Sequence, residues 1–177
     1  TSHNGSAFYQ QADESWSCSL SEGNRITQDS IGNTIEVFDN RQYDNNWKAS
    51  DFFFQESEKP MHRLLKETKG IYTTLPTYPA YVNRLRHVLS PIAEYEDSLG
   101  LHYDFGRFFQ GSVRITLREA KKGERLEING LVYICSGEMD EQAFRRLSTS
   151  RQKSITIKGD RHFRKSQIQK IEGLEIY

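Results

Sequence analysis

The sequence predicts an α+β fold in which helices and strands occupy separate stretches of the chain. Three observations support this prediction. Apolar residues in the middle of the chain recur at helical spacing, whereas those after residue 111 alternate with polar residues. Glycines punctuate the second half at short intervals, as they do between short antiparallel strands. The 10 phenylalanines, 9 tyrosines and 2 tryptophans among 177 residues supply enough apolar surface for a folded core.

Composition divides the chain into three parts. Residues 1–24 are rich in Ser, Asn, Gln and Gly, and we expect a loose polar N-terminus there. Residues 25–110 are expected to mix strands and helices. Residues 111–177 are expected to form a β-rich, basic C-terminal part. The length suits one domain, so the second and third parts are predicted to form one compact domain together.

The first regular elements are predicted before residue 70. The stretch NTIEVFDNRQY places Ile35 and Val37 at alternate positions between Asn and Asp residues, which indicates a strand followed by a turn. A short helix is expected after Pro60, because proline suits the first position of a helix. Gly70 is a plausible end for this helix.

The main helix is predicted in the stretch LPTYPAYVNRLRHVLSPIAEYEDSLG. Pro79 can begin it and Gly100 can end it. Pro91 interrupts the pattern, so a kink or two successive helices are expected. The apolar residues at helical spacing are Val82, Leu85, Val88 and Leu89.

The C-terminal part reads as a series of short antiparallel strands. In the stretch GSVRITLREAKKGERLEINGLVYICSG, Val113, Ile115 and Leu117 share one face of a strand. The pair Asn129-Gly130 separates two alternating runs, as in a tight hairpin. About five such strands are expected, forming a meander that closes into a small barrel or a curved sheet.

The net charge of zero conceals a gradient along the chain. Residues 1–60 carry 10 acidic and 4 basic residues, a net charge of −6. Residues 61–142 are balanced, with 11 of each sign. Residues 143–170 carry 9 basic residues and one acidic residue, a net charge of +8, and the last seven residues contribute −2. Such a gradient indicates either a basic binding face or two oppositely charged parts that meet.

The basic segment predicts contact with a polyanion, most simply DNA or RNA. Affinity for nucleic acid comes largely from contacts between phosphates and clustered Arg and Lys, and an exposed aromatic ring can stack on bases. The competing interpretation is a solvated face that complements the acidic N-terminal third. The predicted binding residues are Arg145, Arg146, Arg151, Lys153, Lys158, Arg161, Phe163, Arg164, Lys165 and Lys170.

A second hypothesis is an enzyme. Asp104, followed by Glu119 and Lys121 in VRITLREAK, resembles the PD-(D/E)xK pattern of metal-dependent nucleases. The resemblance implies two acids that hold Mg²⁺ and a lysine that stabilises charge at the phosphate. The sequence departs from the pattern because Tyr103, not proline, precedes Asp104. Glu67 and Lys69 form the same Glu-x-Lys tripeptide within the short predicted helix.

A third hypothesis is a non-enzymatic interaction or assembly domain, in which the oppositely charged parts contact a protein partner or a second copy. The histidines form no HxxxH or HExxH pair, so no metal site is predicted, and no motif identifies a cofactor. No apolar run is long enough for a membrane span. No leader sequence is recognisable, which favours the cytoplasm or nucleus. Cys18 and Cys135 are expected to be reduced, with Cys135 in a buried strand.

Overall fold

The computed structural model describes five stretches of the chain, and internal contacts divide the chain into two compact units. The described residues are 17–19, 23–43, 50–51, 61–63 and 84–177. One unit comprises Thr1–Leu20 with Asn46–Tyr81, and the other comprises Ser21–Asn45 with Val82–Tyr177. In the first unit, strand β1 (Ser17–Ser19) pairs antiparallel with strand β4 (Met61–Arg63).

The second unit holds a mixed sheet of ten strands. No α-helix occurs among the described residues, and a 3-10 turn at Lys165–Gln167 precedes the last strand. The ten strands are β2 (Asn24–Gln28), β3 (Thr34–Asp39), β5 (Leu85–Leu89), β6 (Ala93–Asp97), β7 (Gly100–Arg118), β8 (Arg125–Ile128), β9 (Leu131–Ile134), β10 (Asp140–Ala143), β11 (Ser150–Gly159) and β12 (Ile168–Ile176).

The predicted α+β fold with a helical middle segment is therefore wrong. From Arg84 onward, the stretch assigned to the main helix contains β5 and β6. Leu85 and Val88 are 56% and 50% exposed, so their helical spacing does not mark a buried stripe. These strands pair with β12 and β7, and pairing with distant sequence overrides local helix preference. In the other predicted helix, the residues after Pro60 begin with β4, and 64–70 lie outside the described residues.

The strand order also corrects the predicted meander. Strands do occur within residues 111–177, but their order in the sheet is β2-β3-β9-β8-β11-β7-β12-β5, with β6 and β10 also paired to β7. Strand β11 therefore lies between β8 and β7, and β3 runs parallel to β9. Only β8 and β9 retain the simple hairpin arrangement of a meander in this region.

The long strand β7 organises the sheet. One of its edges pairs with β11 and β10, and the opposite edge pairs with β6 and β12. At Gly111 the strand pairs with both β11 and β12. A Cβ atom at Gly111 would lie 1.9 Å from the carbonyl oxygen of Leu174, so only glycine permits this close approach. The crossing of β7 from one set of neighbours to the other thus depends on this residue.

One buried core joins most strands of the sheet. Buried apolar residues from β3, β7, β8, β9, β10, β11 and β12 form one cluster. Phe38 stacks on Tyr133 with ring centroids 5.6 Å apart, and both residues are at most 1% exposed. Burying a large apolar side chain contributes about 1.5–3 kcal/mol. Cys135 is a free thiol in this core, just after β9, and burial raises its pKa.

Candidate functional site

The predicted nucleic-acid-binding residues fall into three groups according to what their side chains contact. In the first group, the lysines form ion pairs with carboxylates of the protein itself. Such pairs neutralise each other, which reduces the charge available to a phosphate. The pairs are Lys165 with Glu94 at 2.8 Å, Lys170 with Glu172 at 2.6 Å and Lys153 with Asp104 at 3.7 Å.

In the second group, arginines pack on rings or carbonyls. The guanidinium of Arg146 lies 4.1 Å from the ring centroid of Phe38, and that of Arg151 lies 4.8 Å from the ring of Phe108. Arg145 donates to a backbone carbonyl in the turn between β8 and β9, and burial lowers its pKa. Each of these guanidinium groups is therefore partly occupied by a ring or a carbonyl of the protein itself, which leaves less of it for a phosphate.

The third group comprises Lys158, near the end of β11, and Arg161 and Arg164 in the segment that follows, and we name these three residues the basic loop. These residues face no carboxylate within ion-pair distance among the described residues. The Arg164 guanidinium donates to the carbonyls of Arg161 and Phe163 at 3.0 and 2.8 Å. Phe163 is half-buried and packs against the core, so only part of its ring is available for stacking on a base.

The structure does not assemble the predicted nuclease trio. Asp104 lies in the first third of β7, whereas Glu119 directly follows the end of the same strand. The pattern needs the acids on neighbouring strands, and 15 residues of straight strand span roughly 50 Å. Glu119 also has a φ of 57°, so the strand does not continue through it to Lys121. The Asp104 carboxylate instead accepts the backbone N–H of Gly106 at 2.6 Å.

The strongest candidate site is a cleft between β6 and the segment that begins β12, which we name the Tyr103 cleft. Its volume is about 480 Å³, within the 300–1,000 Å³ typical of small-molecule sites. Tyr103 and Glu94 are directly opposite each other in the β7–β6 ladder, so both side chains point to the cleft face of the sheet. Apolar surface comes from Ile92, Ile168 and Ile171.

The cleft carries one ion pair and one buried phenol. Lys165 Nζ lies 2.8 Å from Glu94 Oε1, and this hydrogen bond raises the pKa of Lys165. Tyr103 is 5% exposed, and its burial, followed by the charge of Glu94, raises the pKa of its hydroxyl. The phenol therefore stays neutral over the physiological range. Sequence reasoning missed both Tyr103 and Glu94, because their proximity depends on the pairing of β6 with β7.

The opposite face of the same strands carries a hydrogen-bonded relay. His102 Nε2 lies 2.8 Å from Asp97 Oδ1, and His102 Nδ1 lies 3.0 Å from Thr156 Oγ1. Tyr95 stacks on the His102 ring with centroids 4.5 Å apart. A second cleft of about 530 Å³ is lined by Asp97 and Lys165, among others. Neither cleft includes Thr156 or His102 in its lining, so the relay reaches the second cleft through Asp97 alone.

Two further observations concern the residues that the structure describes. Within these ranges, no group of three or more His, Cys, Asp or Glu side chains is arranged to hold a metal ion. No helix in the described part of the chain has the length and apolar character needed to cross a bilayer.

Comparison with known proteins identifies similar folds rather than a family. No protein-family model matches this chain, and no curated protein matches it. An α-L-rhamnosidase from Dictyoglumus thermophilum has a TM-score of 0.59 at 20% identity over 80% of this chain and 18% of that one. The native α-L-rhamnosidase from Aspergillus terreus has a TM-score of 0.62 at 14% identity over 99% of this chain and 22% of that one. This chain thus spans about a fifth of either enzyme's length.

Proposed function

We propose that this chain is a non-catalytic β-module of a carbohydrate-active enzyme. The observation that carries the proposal is the likeness between 99% of this chain and 22% of the Aspergillus terreus α-L-rhamnosidase. A segment of this length has the size of a domain. In a larger enzyme, such a module supports or extends the catalytic domain. Because a fold alone does not determine function, the proposal also needs agreement from the side chains.

The described carboxylates support a non-catalytic role. Glycoside hydrolysis usually needs two carboxyl groups about 5–10 Å apart, one of them an acid with a raised pKa. Glu94, which pairs with Lys165, is the one carboxylate in the described lining of the Tyr103 cleft. The second cleft is lined by three carboxylates, Glu96, Asp97 and Asp160. The hydrogen bond from His102 holds the pKa of Asp97 below its usual range, and backbone hydrogen bonds, which outweigh the effect of burial, lower that of Asp160. For these two aspartates the shift is opposite to the one that a general acid requires.

The edge of the sheet at β5 supports the assembly role that the sequence left open. Strand β5 ends the order of the described sheet, so one of its edges has no partner strand there. Leu85, Val88 and the nearby Tyr177 are 56%, 50% and 67% exposed. An unpaired edge with exposed apolar side chains is a surface suited to contact with a neighbouring domain or chain.

The proposal is tested by an assay of the isolated chain on p-nitrophenyl α-L-rhamnopyranoside, with the Aspergillus terreus enzyme as the positive control. We expect cooperative thermal unfolding, which shows a folded chain, and a hydrolysis rate equal to the buffer blank. A rate above the blank would contradict the non-catalytic role, and a loss of that rate in Glu94→Gln or Asp97→Asn would assign it to one of the two clefts. The unfolding curves of both variants establish that any such loss is not a loss of fold.

Binding of a polyanion is a second proposal, because the three cations of the basic loop face no carboxylate in the described structure. Labelled single- and double-stranded DNA and RNA, titrated across a salt series, test it. If each cation contacts one phosphate, reversing Lys158, Arg161 and Arg164 to Glu should reduce the salt slope by about 2–3.

A matched control reverses three exposed cations elsewhere, Arg25, Lys121 and Lys122, and changes the net charge equally. Equal loss of binding in the two triple variants would show a general charge effect and would remove the basic loop as a specific site. Absence of binding by the unmodified chain at low salt would remove the polyanion proposal itself.

A further inference from the structure

One polar group that lines the Tyr103 cleft has no hydrogen-bond partner among the described residues. Tyr103 is 5% exposed and lines the cleft, yet its hydroxyl makes no hydrogen bond to any described residue. The hydroxyl oxygen is not among the buried unpaired atoms of the described residues, so it opens to the cleft although most of the Tyr103 ring is buried. An unpaired phenol that lines a cleft is therefore a donor and acceptor that remains free for a ligand.

The walls of the cleft are apolar, whereas its rim is polar. Ile92 and Ile168 line it beside Ile171, which is 7% exposed and belongs to the core. The rim is formed by Glu94, Lys165 and the side-chain amide of Gln169. A ligand that fits this lining presents an apolar surface to the walls and several hydroxyl or amide groups to the rim.

The charges around the cleft balance each other. Lys165 pairs with Glu94 at 2.8 Å, and Lys170 pairs with Glu172 at 2.6 Å. Arg114, which also contacts Glu172 at 2.8 Å, holds that carboxylate in place from the neighbouring strand. An anionic ligand would have to displace a carboxylate from a lysine, and a cationic ligand would have to displace a lysine. A neutral ligand needs neither exchange and can hydrogen-bond to both members of a pair.

We propose that the Tyr103 cleft binds a neutral carbohydrate, with the pyranose ring against the isoleucines and ring hydroxyls on Tyr103, Glu94 and Lys165. The existence of a ligand site rests on the cleft and its unpaired phenol. The choice of a sugar, rather than another neutral polyhydroxyl compound, rests on the proposed function. The cleft is open to solvent and offers few direct hydrogen bonds, so the expected Kd is on the order of 1 mM.

The test is a titration of the ¹⁵N-labelled chain, followed in ¹H–¹⁵N correlation spectra, with the methyl glycosides of L-rhamnose, D-glucose and D-galactose. Sodium D-glucuronate serves as the anionic probe. We expect saturable shifts of the amides of Ala93, Glu94 and the residues of 168–171 with at least one neutral glycoside. We expect Tyr103→Phe to weaken that binding about three- to tenfold, the value of one hydrogen bond.

The matched control is Tyr95→Phe, which removes one tyrosine hydroxyl from the opposite face of the same pair of strands. It should bind the glycoside as the unmodified chain does, and both variants should unfold at the same temperature as that chain. Glu94→Gln supplies a second test: it frees Lys165 from its counter-charge, so affinity for glucuronate should rise while affinity for the neutral glycoside falls.

Three results would overturn the proposal: no saturable shift with any of the neutral glycosides, unchanged affinity in Tyr103→Phe, or tighter binding of glucuronate than of every neutral glycoside by the unmodified chain. These results leave the module proposal standing, because that proposal is judged by the hydrolysis assay. Conversely, hydrolysis by the isolated chain would end the non-catalytic role even if the cleft binds sugars as expected.

Discussion

The molecule holds its buried carboxylates in two different ways. Glu36 and Glu141 are 0% and 2% exposed, and neutral donors satisfy both of them. Glu141 accepts from Asn40, Tyr133 and the backbone N–H groups of Ser136 and Gly137, at 2.7–3.0 Å. By contrast, Glu175 on β12 pairs with a cation, since the Arg107 guanidinium donates to both of its oxygens at 2.7 and 2.8 Å.

This difference between neutral and cationic donors shows which part of the fold each kind of carboxylate stabilises. The carboxylates with neutral donors stabilise irregular backbone. Glu141 accepts hydrogen bonds from the loop between β9 and β10, and Glu36 accepts hydrogen bonds from residues 146–148. The carboxylate with cationic partners lies on a regular strand, whose backbone is already satisfied by the sheet. Removing the first kind leaves buried donors unpaired, whereas removing the second leaves a solvated arginine. The expected costs differ accordingly.

The largest effect is expected for Glu141→Leu. The substitution removes the acceptor of four donors, of which the Asn40 amide and the Tyr133 hydroxyl are buried and the N–H groups of Ser136 and Gly137 are partly buried. Asn40 keeps Ser136 Oγ as a second acceptor, and each buried donor left without an acceptor costs about 1–3 kcal/mol before relaxation. We expect the free energy of unfolding to fall by about 3–5 kcal/mol, measured by urea denaturation.

The control for this change is Glu138→Leu, which replaces an exposed carboxylate in the same loop and should change stability by less than about 0.5 kcal/mol. A small loss for Glu141→Leu, comparable to that of the control, would mean that the loop is satisfied without its central acceptor.

A smaller and more local effect is expected for Glu36→Gln. Glu36 Oε1 accepts from the backbone N–H of Arg146 at 2.7 Å, and Oε2 accepts from Ser148 Oγ at 3.0 Å. Glutamine keeps the shape but turns one acceptor into a donor facing other donors, at a cost of about 1–3 kcal/mol. Hydrogen exchange should show lost protection at Arg146 and Leu147 and little change elsewhere. Loss of protection spread evenly over the sheet would show that Glu36 stabilises the whole unit instead.

The carboxylate on β12 predicts a dependence on pH rather than a large loss. Hydrogen bonds from Arg107 and His87 lower the pKa of Glu175 to about 2, from 4.5 in the unfolded chain. Because the folded-state pKa is the lower one, the pair stabilises the fold fully above pH 4.5, and this contribution disappears as the pH falls towards 2. The denaturation midpoint of the unmodified chain should therefore decline more steeply than that of Glu175→Gln across this interval. Parallel curves would contradict the role of Glu175.

Local features of the sequence were enough to predict some of these elements. The pair Asn129-Gly130 has φ values of 35° and 81° and joins β8 to β9 with Ile128 opposite Leu131, as the hairpin pattern indicates. The strand at Ile35 is β3. In these cases the residues that determine the structure are close together in the sequence.

Other features depend on contacts that the sequence does not display. Leu85 and Val88 match helical spacing, but their strand is formed by pairing with residues near 175, about 90 positions later. The groups that donate hydrogen bonds to Glu141 belong to residues 40, 133, 136 and 137, and no sequence motif predicts this arrangement. The Tyr103 cleft likewise requires β6 to pair with β7 and the start of β12 to lie nearby. The periodicity of apolar residues in a sequence does not reveal which distant strands will pair.

The smallest effect is expected where an ion pair lies in solvent. Arg118 Nε lies 2.9 Å from Asp140 Oδ1, and both side chains are 52% exposed. In that environment water and salt screen the attraction, and the two side chains lose rotamer freedom to maintain one geometry. Asp140→Asn should therefore leave the urea midpoint unchanged at 0.15 M salt, whereas Glu172→Gln, which removes a 7% exposed partner of Arg114, should lower it measurably. Equal losses in the two variants would mean that burial does not govern the strength of these pairs, and the distinction between the two kinds of carboxylate would then rest on donor type alone.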